Sequence, residues 1–361
     1  MEKKKRSIGK RILRVIGIII AFILIFVMGL LAFVSVTEYM PDDRETVDAE
    51  GTAARVLSAG DTVTVMSWNI GYGALGEDAD FFMDGGTMVR AESLDAVKKN
   101  MQGILNEVDS VQPDILMLQE TDRDSSRSYM VNEYAEVQSN LNGYMSFFAN
   151  SYKVAYVPYP FPTLGKIDSG VATFSAYIVD TAERVQLPVP FSWPVRTINL
   201  KRCLLVSCIP VANSDKELVI VNLHLEAYDD GEGKLKQTQM LADLLKEEAA
   251  KGNYVIAGGD FNQVFSSTNT EAYPLYDDNW EAPVIDIALF GDGWSFLMDE
   301  TVPSCRLLNK PYRDADRDTF QYYLIDGFIV SNNLLIESMK TQDIGFVYAD
   351  HNPLVLKVTL Q

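Results

Sequence analysis

Residues 253–263 read NYVIAGGDFNQ: a short apolar run, two glycines, then an acid and an amide. Tyr254-Val255-Ile256-Ala257 has the length and the β-branched and aromatic content of a buried strand. Gly258 and Gly259 leave the end of that strand without bulk, which gives room for a phosphate and its metal or for another backbone. Asp260 and Asn262 stand two residues apart and point the same way in an extended chain. An Asx turn closing a strand accounts for the tetrapeptide equally well when it is taken alone. What decides between the two is how many other strands in the chain end in the same kind of chemistry.

Working outward, Gly233 to Ala250 carries Leu235, Thr238, Leu241, Leu245 and Ala249 at helical spacing, with Gly252 as its stop. Before it lies a predicted hairpin, Arg202 to Val211 and Glu217 to Leu225, turned at Asn213-Ser214-Asp215 and placing His224 near a strand end. Thr62 to Asn69 alternates as a strand and stops at Asn69. Leu94, Val97, Met101, Ile104, Leu105 and Val108 then predict a helix capped by Ser93. Asp114 to Leu118 is the next buried strand and runs into Gln119-Glu120. Strand, helix, strand therefore recurs twice, each time with polar residues after the strand. Further strands are expected at Ser169–Ser175, at Tyr322–Ser331 with Asp326 inside an apolar run, and at Leu354–Val358 as a last, edge-compatible strand behind Asp350-His351. Residues 264–318 show no clear pattern. The proline- and aromatic-rich stretches YVPYPFP (156–162) and LPVPFSWPV (187–195) cannot be central strands, because proline lacks the ladder donor. Loop packing over the core explains them, and so does a rim that receives substrate or touches lipid headgroups.

The chain has 361 residues, enough for one large or two ordinary domains, and its 47% hydrophobic content provides a real core. Its net charge of −19 conceals seven basic side chains within residues 1–14, so the remainder is more acidic still. Such a surface repels polyanions at long range, although a bound metal reverses the sign locally. Cys203, Cys208 and Cys305 are too few for a disulfide framework, and the first two sit five apart on one strand, facing opposite sides. Val15 to Val36 runs without a charge and as a helix spans roughly 33 Å, enough to cross a bilayer. The exit lacks a good small-x-small cleavage site, which favours an uncleaved anchor over a signal peptide. The basic cluster in front directs residues 1–14 to the cytoplasm and the bulk of the chain outside. Residues 37–60 are polar and acidic and read as a tether reaching about 25–30 Å. The domain proper is expected over 61–361.

His224 and His351 are the only histidines, and both lie at strand ends next to acids or amides. Together with Asn69, Glu120, Asp260, Asn262, Asp326 and Asp350 they form a set suited to phosphate-ester hydrolysis. That chemistry needs a hard cation such as Mg²⁺ (Mn²⁺ or Ca²⁺ being alternatives), an oriented base for water, and neutral donors to phosphoryl oxygen. So few histidines and cysteines do not make a zinc site.

Six segments, Trp68-Asn69, Gln119-Glu120, NLHL (222–225), GGDFN (258–262), IDGFIVS (325–331) and Asp350-His351, resemble in order the motifs of the endonuclease/exonuclease/phosphatase superfamily. That superfamily includes DNase I-like nucleases, bacterial sphingomyelinases and inositol polyphosphate 5-phosphatases. The resemblance covers residues 62–360 and implies an α+β fold: a four-layer α/β/β/α sandwich of two mixed sheets, here preceded by one transmembrane helix. It implies that Glu120 holds Mg²⁺ with Asn69 beside it and Asp350 close by. Asp260 and Asn262 would position water and phosphate, and His351 would act in acid-base work oriented by Asp326. His224 would contact phosphate or leaving group, and Tyr152 would contact phosphate. Val154 stands where an acidic partner for His224 is expected. The favoured function is a membrane-anchored, outward-facing phosphoesterase acting on a lipid headgroup or small phosphoester. An extracellular nuclease using Lys153, Lys166, Arg196, Lys201 and Arg202 is the alternative, and a non-catalytic binding module is third.

Overall fold

Alternate side chains of a strand face opposite sides, and the two faces of the central strands here enter different cores. The computed structural model describes residues 2–229, 231–276 and 279–361. In chain order its elements are α1 (Glu2–Val36), β1 (Arg44–Thr46), β2 (Glu50–Gly51), β3 (Thr62–Asn69), α2 (Leu94–Val111), β4 (Ile115–Asp122) and α3 (Glu133–Asn140). There follow β5 (Met145–Val157), β6 (Gly165–Ser175), β7 (Thr181–Gln186), β8 (Cys203–Pro210), β9 (Glu217–His224), α4 (Glu232–Ala250) and β10 (Tyr254–Asp260). The remainder holds β11 (Val264–Phe265), β12 (Val284–Ile285), β13 (Trp294–Leu297), β14 (Cys305–Arg306), β15 (Tyr322–Tyr323), β16 (Asp326–Ser331), β17 (Leu334–Thr341) and β18 (Leu354–Leu360), joined by short 3₁₀ turns.

Two seven-stranded mixed sheets result, β17-β18-β3-β4-β6-β5-β2 and β1-β7-β8-β9-β10-β16-β13. Val63 and Val65 of β3, Ile115 and Met117 of β4, and Tyr254 and Ile256 of β10 share the core between the sheets. The opposite residues of β3 and β4, Met66, Trp68, Leu116 and Leu118, pack with Val97, Met101 and Ile104 of α2. Val255 and Ala257 of β10 pack with Leu241 and Leu245 of α4. Helix, sheet, sheet and helix are therefore stacked as the motif resemblance implies. Ser93 caps α2, its Oγ accepting from the N–H of Ala96 at 3.1 Å. The hairpin reading holds as β8 and β9, and Cys203 and Cys208 fall on opposite faces of β8.

Three expectations change. The strand foreseen over Tyr322–Ser331 is broken at Leu324-Ile325 into β15 and β16, which belong to different sheets. β18 is not an edge: β17, whose charged residues hid it, lies outside it. Residues 37–60 are not a free tether either. β1 pairs with β7 on the edge of one sheet and β2 with β5 on the edge of the other. Arg55 and Leu57 add bridges to Tyr177 and Val211. Covering both edges with one polar segment satisfies their unpaired backbone groups, and strands this short carry no periodicity to announce them. Within α1, Ile8–Val36 is long and apolar enough to cross a membrane.

Candidate active site

The C-terminal ends of β3, β4, β9 and β10 and the start of the antiparallel β16 meet at one end of the sandwich. The ladder sets one row by register, since Asp260 is the direct partner of His224 on β9 and of Asp326 on β16. Asp260 is the hub. Its Oδ2 lies 3.0 Å from Asn69 Nδ2, 3.4 Å from His224 Nε2 and 3.8 Å from His351 Nε2, and its Oδ1 accepts the Asn262 N–H at 2.8 Å. Asn262 has φ +50 and donates its amide to Leu225 O at 2.9 Å, so it closes the site wall between β9 and β10. His351 Nδ1 meets Asp326 Oδ2 at 2.8 Å, and its backbone carbonyl accepts from Trp68 Nε1 at 2.9 Å.

Glu120 sits at the irregularity where β4 loses register with β6, with φ +52. A bulge re-aims a side chain at the expense of local strain, a trade seen mainly at functional positions. Among the described residues its only side-chain partner is Asn69 Nδ2 at 3.3 Å. Because Asn69 turns its amide nitrogen toward Glu120 and Asp260 while its Oδ1 accepts the Gly71 N–H at 3.1 Å, it positions Glu120. Asn69 thus stands beside Glu120 with its amide nitrogen, not its oxygen, facing that acid. Asp350 is buried with Oδ1 lacking any partner among the described residues. A Cβ on Gly71, at φ +50, would come within 2.7 Å of that oxygen.

The two histidines are driven to opposite protonation states. Burial, reinforced by the charges of Arg202 and His351, pushes His224 well below the usual imidazole range. Burial also opposes a charge on His351, but the Asp326 carboxylate, with Cys305 and Asp350, outweighs it and raises His351 well above that range. Burial and the neighbouring Asp326 push Asp260 up to about 7, and burial with Glu120 nearby brings Asp350 to about 6. At the mouth, Asp84 accepts from Tyr228 Oη at 3.5 Å, and burial together with Asp350 lifts its carboxyl to about 7.

Four acids, Glu120, Asp260, Asp326 and Asp350, thus converge with one imidazole whose cationic form Asp326 favours. An oxygen-rich, negatively unbalanced donor set with an orphaned buried oxygen fits a hard divalent cation. The closest groupings of ligating atoms are Asp260, Asp326 and His351, and Cys305, Asp350 and His351, each within 4.8 Å. Neither is the better metal site: His351 Nδ1 is engaged by Asp326, and burial pushes the Cys305 thiol up to about 12, leaving a poor ligand for a hard ion. Glu120 and Asp350 keep oxygens that nothing among the described residues engages, and neither is committed to a histidine as Asp326 is.

Tyr152 does not join them. Its hydroxyl donates to Ile198 O at 3.2 Å and its ring packs against the small cluster of Val89, Val154, Val157, Leu164 and Ile167. Nor do Gly258 and Gly259 make room for a phosphate. A Cβ on Gly258 would meet the Phe328 ring at 2.5 Å, and one on Gly259, at φ +142, would strike Leu223 O at 2.0 Å. Close packing of β10 against its neighbours is their reason. His224 does have an acidic neighbour, Asp260, supplied by the adjacent strand and not by the segment around Val154.

Several contributors have no sequence signal. Ser304 Oγ accepts the N–H groups of Ile325 and Asp326 at 3.0 and 3.1 Å, fixing the acid behind His351. Arg306, buried, donates to the carbonyls of Leu75, Gly76 and Ala79 while its N–H holds Asp350 O at 3.0 Å. Both lie in the stretch without pattern. Gln119 and Asn222, joined at 2.8 Å, bond the two sheets together beneath the site. They belong to the quoted motifs but gave no hint of that role.

Residues 66–348 match the profile of the Endonuclease/Exonuclease/phosphatase family. Comparison with curated proteins gives no match. Among solved structures the chain is similar to an endonuclease/exonuclease/phosphatase from Beutenbergia cavernae DSM 12333, at 16% identity over 83% of this chain and 72% of that one, with a TM-score of 0.57. It is similar to ANGEL2, a 2',3'-cyclic phosphatase solved with adenosine-2',3'-vanadate, at 16% identity over 89% and 99% of the two chains, TM-score 0.55. An endonuclease/exonuclease/phosphatase from Bacteroides vulgatus gives 14% identity over 83% and 100%, TM-score 0.53. At such identities the structural likeness is one of fold, and the family match over most of the chain carries the rest: the chain belongs to the endonuclease/exonuclease/phosphatase family, metal-dependent hydrolases of phosphate esters.

Proposed function

We propose that this chain is a membrane-anchored, outward-facing Mg²⁺-dependent phosphoesterase whose substrate is a lipid headgroup or a small phosphoester. Residues 1–14 lie in the cytoplasm, 15–36 cross the bilayer and 61–361 form the catalytic domain outside. The observation that carries the catalytic part is the unbalanced pair Glu120 and Asp350, acids with oxygens free in a buried, oxygen-lined end of the sandwich. These two would hold the ion, with Asn69 steadying Glu120. A bound divalent cation would neutralise phosphoryl oxygens and the charge that develops on them.

The protein's own groups divide the remaining work. Asp260, lifted toward neutral pH and held by Asn69 and the Asn262 N–H, takes the proton of the attacking water. His351, kept protonated by Asp326, donates to a phosphoryl oxygen. His224, neutral and 3.4 Å from Asp260, supplies a neutral hydrogen bond to the phosphate or leaving oxygen. Pairs of titratable groups with environments that push them apart divide acid from base in this way.

Four of the five basic residues that would serve a polyanion are already paired with acids, and only Lys153 has no acidic partner among the described residues. Arg196 and Lys201 pair with Glu38, Lys166 with Asp124 and Arg202 with Glu226. Full-length protein with Mg²⁺ would be assayed against sphingomyelin, phosphoinositides, bis-p-nitrophenyl phosphate and plasmid DNA. Turnover of a lipid or small phosphoester that EDTA abolishes is expected; turnover of DNA alone would replace this function with a nuclease, and none at all would favour a binding module.

A further inference from the structure

α1 does not leave the domain as a free stalk. Residues 8–29 are exposed throughout, whereas Leu30, Leu31 and Ser35 are half-buried and Val34 is buried against the loop at 193–198. Trp193 Nε1 donates to Ser35 Oγ at 3.0 Å. One turn on, Glu38 receives Arg196 Nε at 2.9 Å and Nη2 at 3.3 Å, together with Lys201 Nζ at 3.2 Å. The Glu38 and Lys201 side chains are only 5% and 6% exposed, and Lys201 N donates to Ser151 O of β5 at 2.7 Å. Beyond Glu38 the chain is fastened again at β1 and β2. A helix exit with both neighbouring turns pinned has little freedom to swing.

The loop against this exit exposes Trp193 at 56% and Val195 at 52%, and the loop after β5 exposes Phe161 at 95% and Tyr159 at 68%. Their two loops share one footing, since Tyr152 of β5 bonds Ile198 O and both pack on the cluster of Val154, Val157 and Leu164. Removing such a side chain from water is worth roughly 1.5–3 kcal/mol, and Trp and Tyr are the residues favoured at the headgroup level of a bilayer. Phe82 meets Tyr159 edge-on at 6.1 Å, and its own loop carries Asp84 to the mouth of the catalytic site.

We propose that the loops at 158–163 and 190–196 form a lipid-contacting collar at the exit of α1, clamped by Glu38, Arg196 and Lys201, and that the catalytic mouth is thereby held at a membrane surface to receive phosphoesters presented there. This rests on α1 spanning the bilayer. The occupant is a lipid surface because Trp193 is bonded into the last turn of a helix composed to lie in lipid, and the loop at 158–163 shares that loop's footing. An interfacial substrate then reaches the site without leaving the membrane, and the domain need not search for it.

Full-length protein in phosphatidylcholine vesicles, with and without lipids brominated on the acyl chains, would test the collar by indole quenching. α1 has no tryptophan, Trp68 is buried, and Trp280 and Trp294 are half-buried elsewhere. Most of the quenching should vanish in Trp193→Phe and return when Phe161→Trp is added to that variant. Glu38→Gln should weaken quenching of Trp193 while leaving the chain in the vesicles. Equal quenching of wild type and Trp193→Phe, in a chain that survives an alkaline wash, would overturn the collar and spare the anchor. A chain washed off the vesicles would overturn the anchor and the collar with it.

Discussion

Glu120 and Asp122 are two residues apart on β4, and both reach into the ends of the fold, yet they lead opposite lives. Every oxygen of Asp122 is occupied: Arg127 Nε at 3.1 Å, Arg127 Nη2 at 2.9 Å and Ser128 Oγ at 2.8 Å. The guanidinium that neutralises it lies flat on Tyr72, 3.6 Å from the ring centre, and also donates to Ser169. Among the described residues Glu120 has a single long bond from an amide, and its backbone is strained. A buried charge with all its partners in place is part of the scaffold; an acid left short of partners beside another orphaned acid is waiting for a ligand.

The strongest contrast is expected at the hub of the unbalanced cluster. Asp260→Asn should lower kcat by about 10²–10⁴-fold with the thermal transition kept within a few degrees. His351→Ala should do the same. Near-normal turnover in either would place the chemistry elsewhere.

Exchanging charge for amide at the two β4 acids would break the comparison directly. Asp122→Asn strips Arg127 of its counter-charge in a buried position and should cost roughly 3–5 kcal/mol of stability, read by urea unfolding. Glu120→Gln should leave stability in EDTA unchanged or improved. Its loss should appear instead as a Mg²⁺ requirement raised at least about tenfold, since a missing ligand is felt only when the ion binds. If Glu120→Gln unfolds the protein as Asp122→Asn does, the distinction between scaffold and site on this strand is wrong.

The sequence exposed one side of this contrast far better than the other. Glu120, Asp260, Asp326 and His351 stand at the ends of apolar runs, where a polar residue is conspicuous, and the runs themselves follow strand periodicity. Asp122, Arg127 and Glu133 lie in a polar stretch where charges are expected, and only the folded chain brings them together. Ser304 and Arg306 were hidden for the same reason, in a segment whose order comes from side chains gripping backbone and not from periodicity. Residues 44–51 misled because strands of two or three residues are too short to alternate. Gly258-Gly259 answer to the second of the two readings, since what approaches them is the Phe328 ring and the backbone of Leu223 and not a phosphate.

The smallest effect sits at the margin of the balanced cluster. Glu133 is fully buried, with Oε2 accepting the Asp122 N–H at 2.8 Å and Oε1 unpartnered among the described residues. Burial, with Asp122 adding, holds its carboxyl well above the usual range, because Arg127 is already committed to Asp122. A raised carboxyl favours the folded state fully below its unfolded value of about 4.3, and that stability is lost as pH rises toward the folded value, by up to about 1.4 kcal/mol per pH unit. Glu133→Gln removes the titration while keeping the shape and the acceptor for Asp122 N–H. The variant should therefore unfold at a higher temperature than wild type at pH 8, and the gap should narrow as the pH is lowered to 6. A variant less stable than wild type by an amount that does not change between pH 8 and 6 would mean instead that Glu133 is charged and stabilised by a partner in the folded protein.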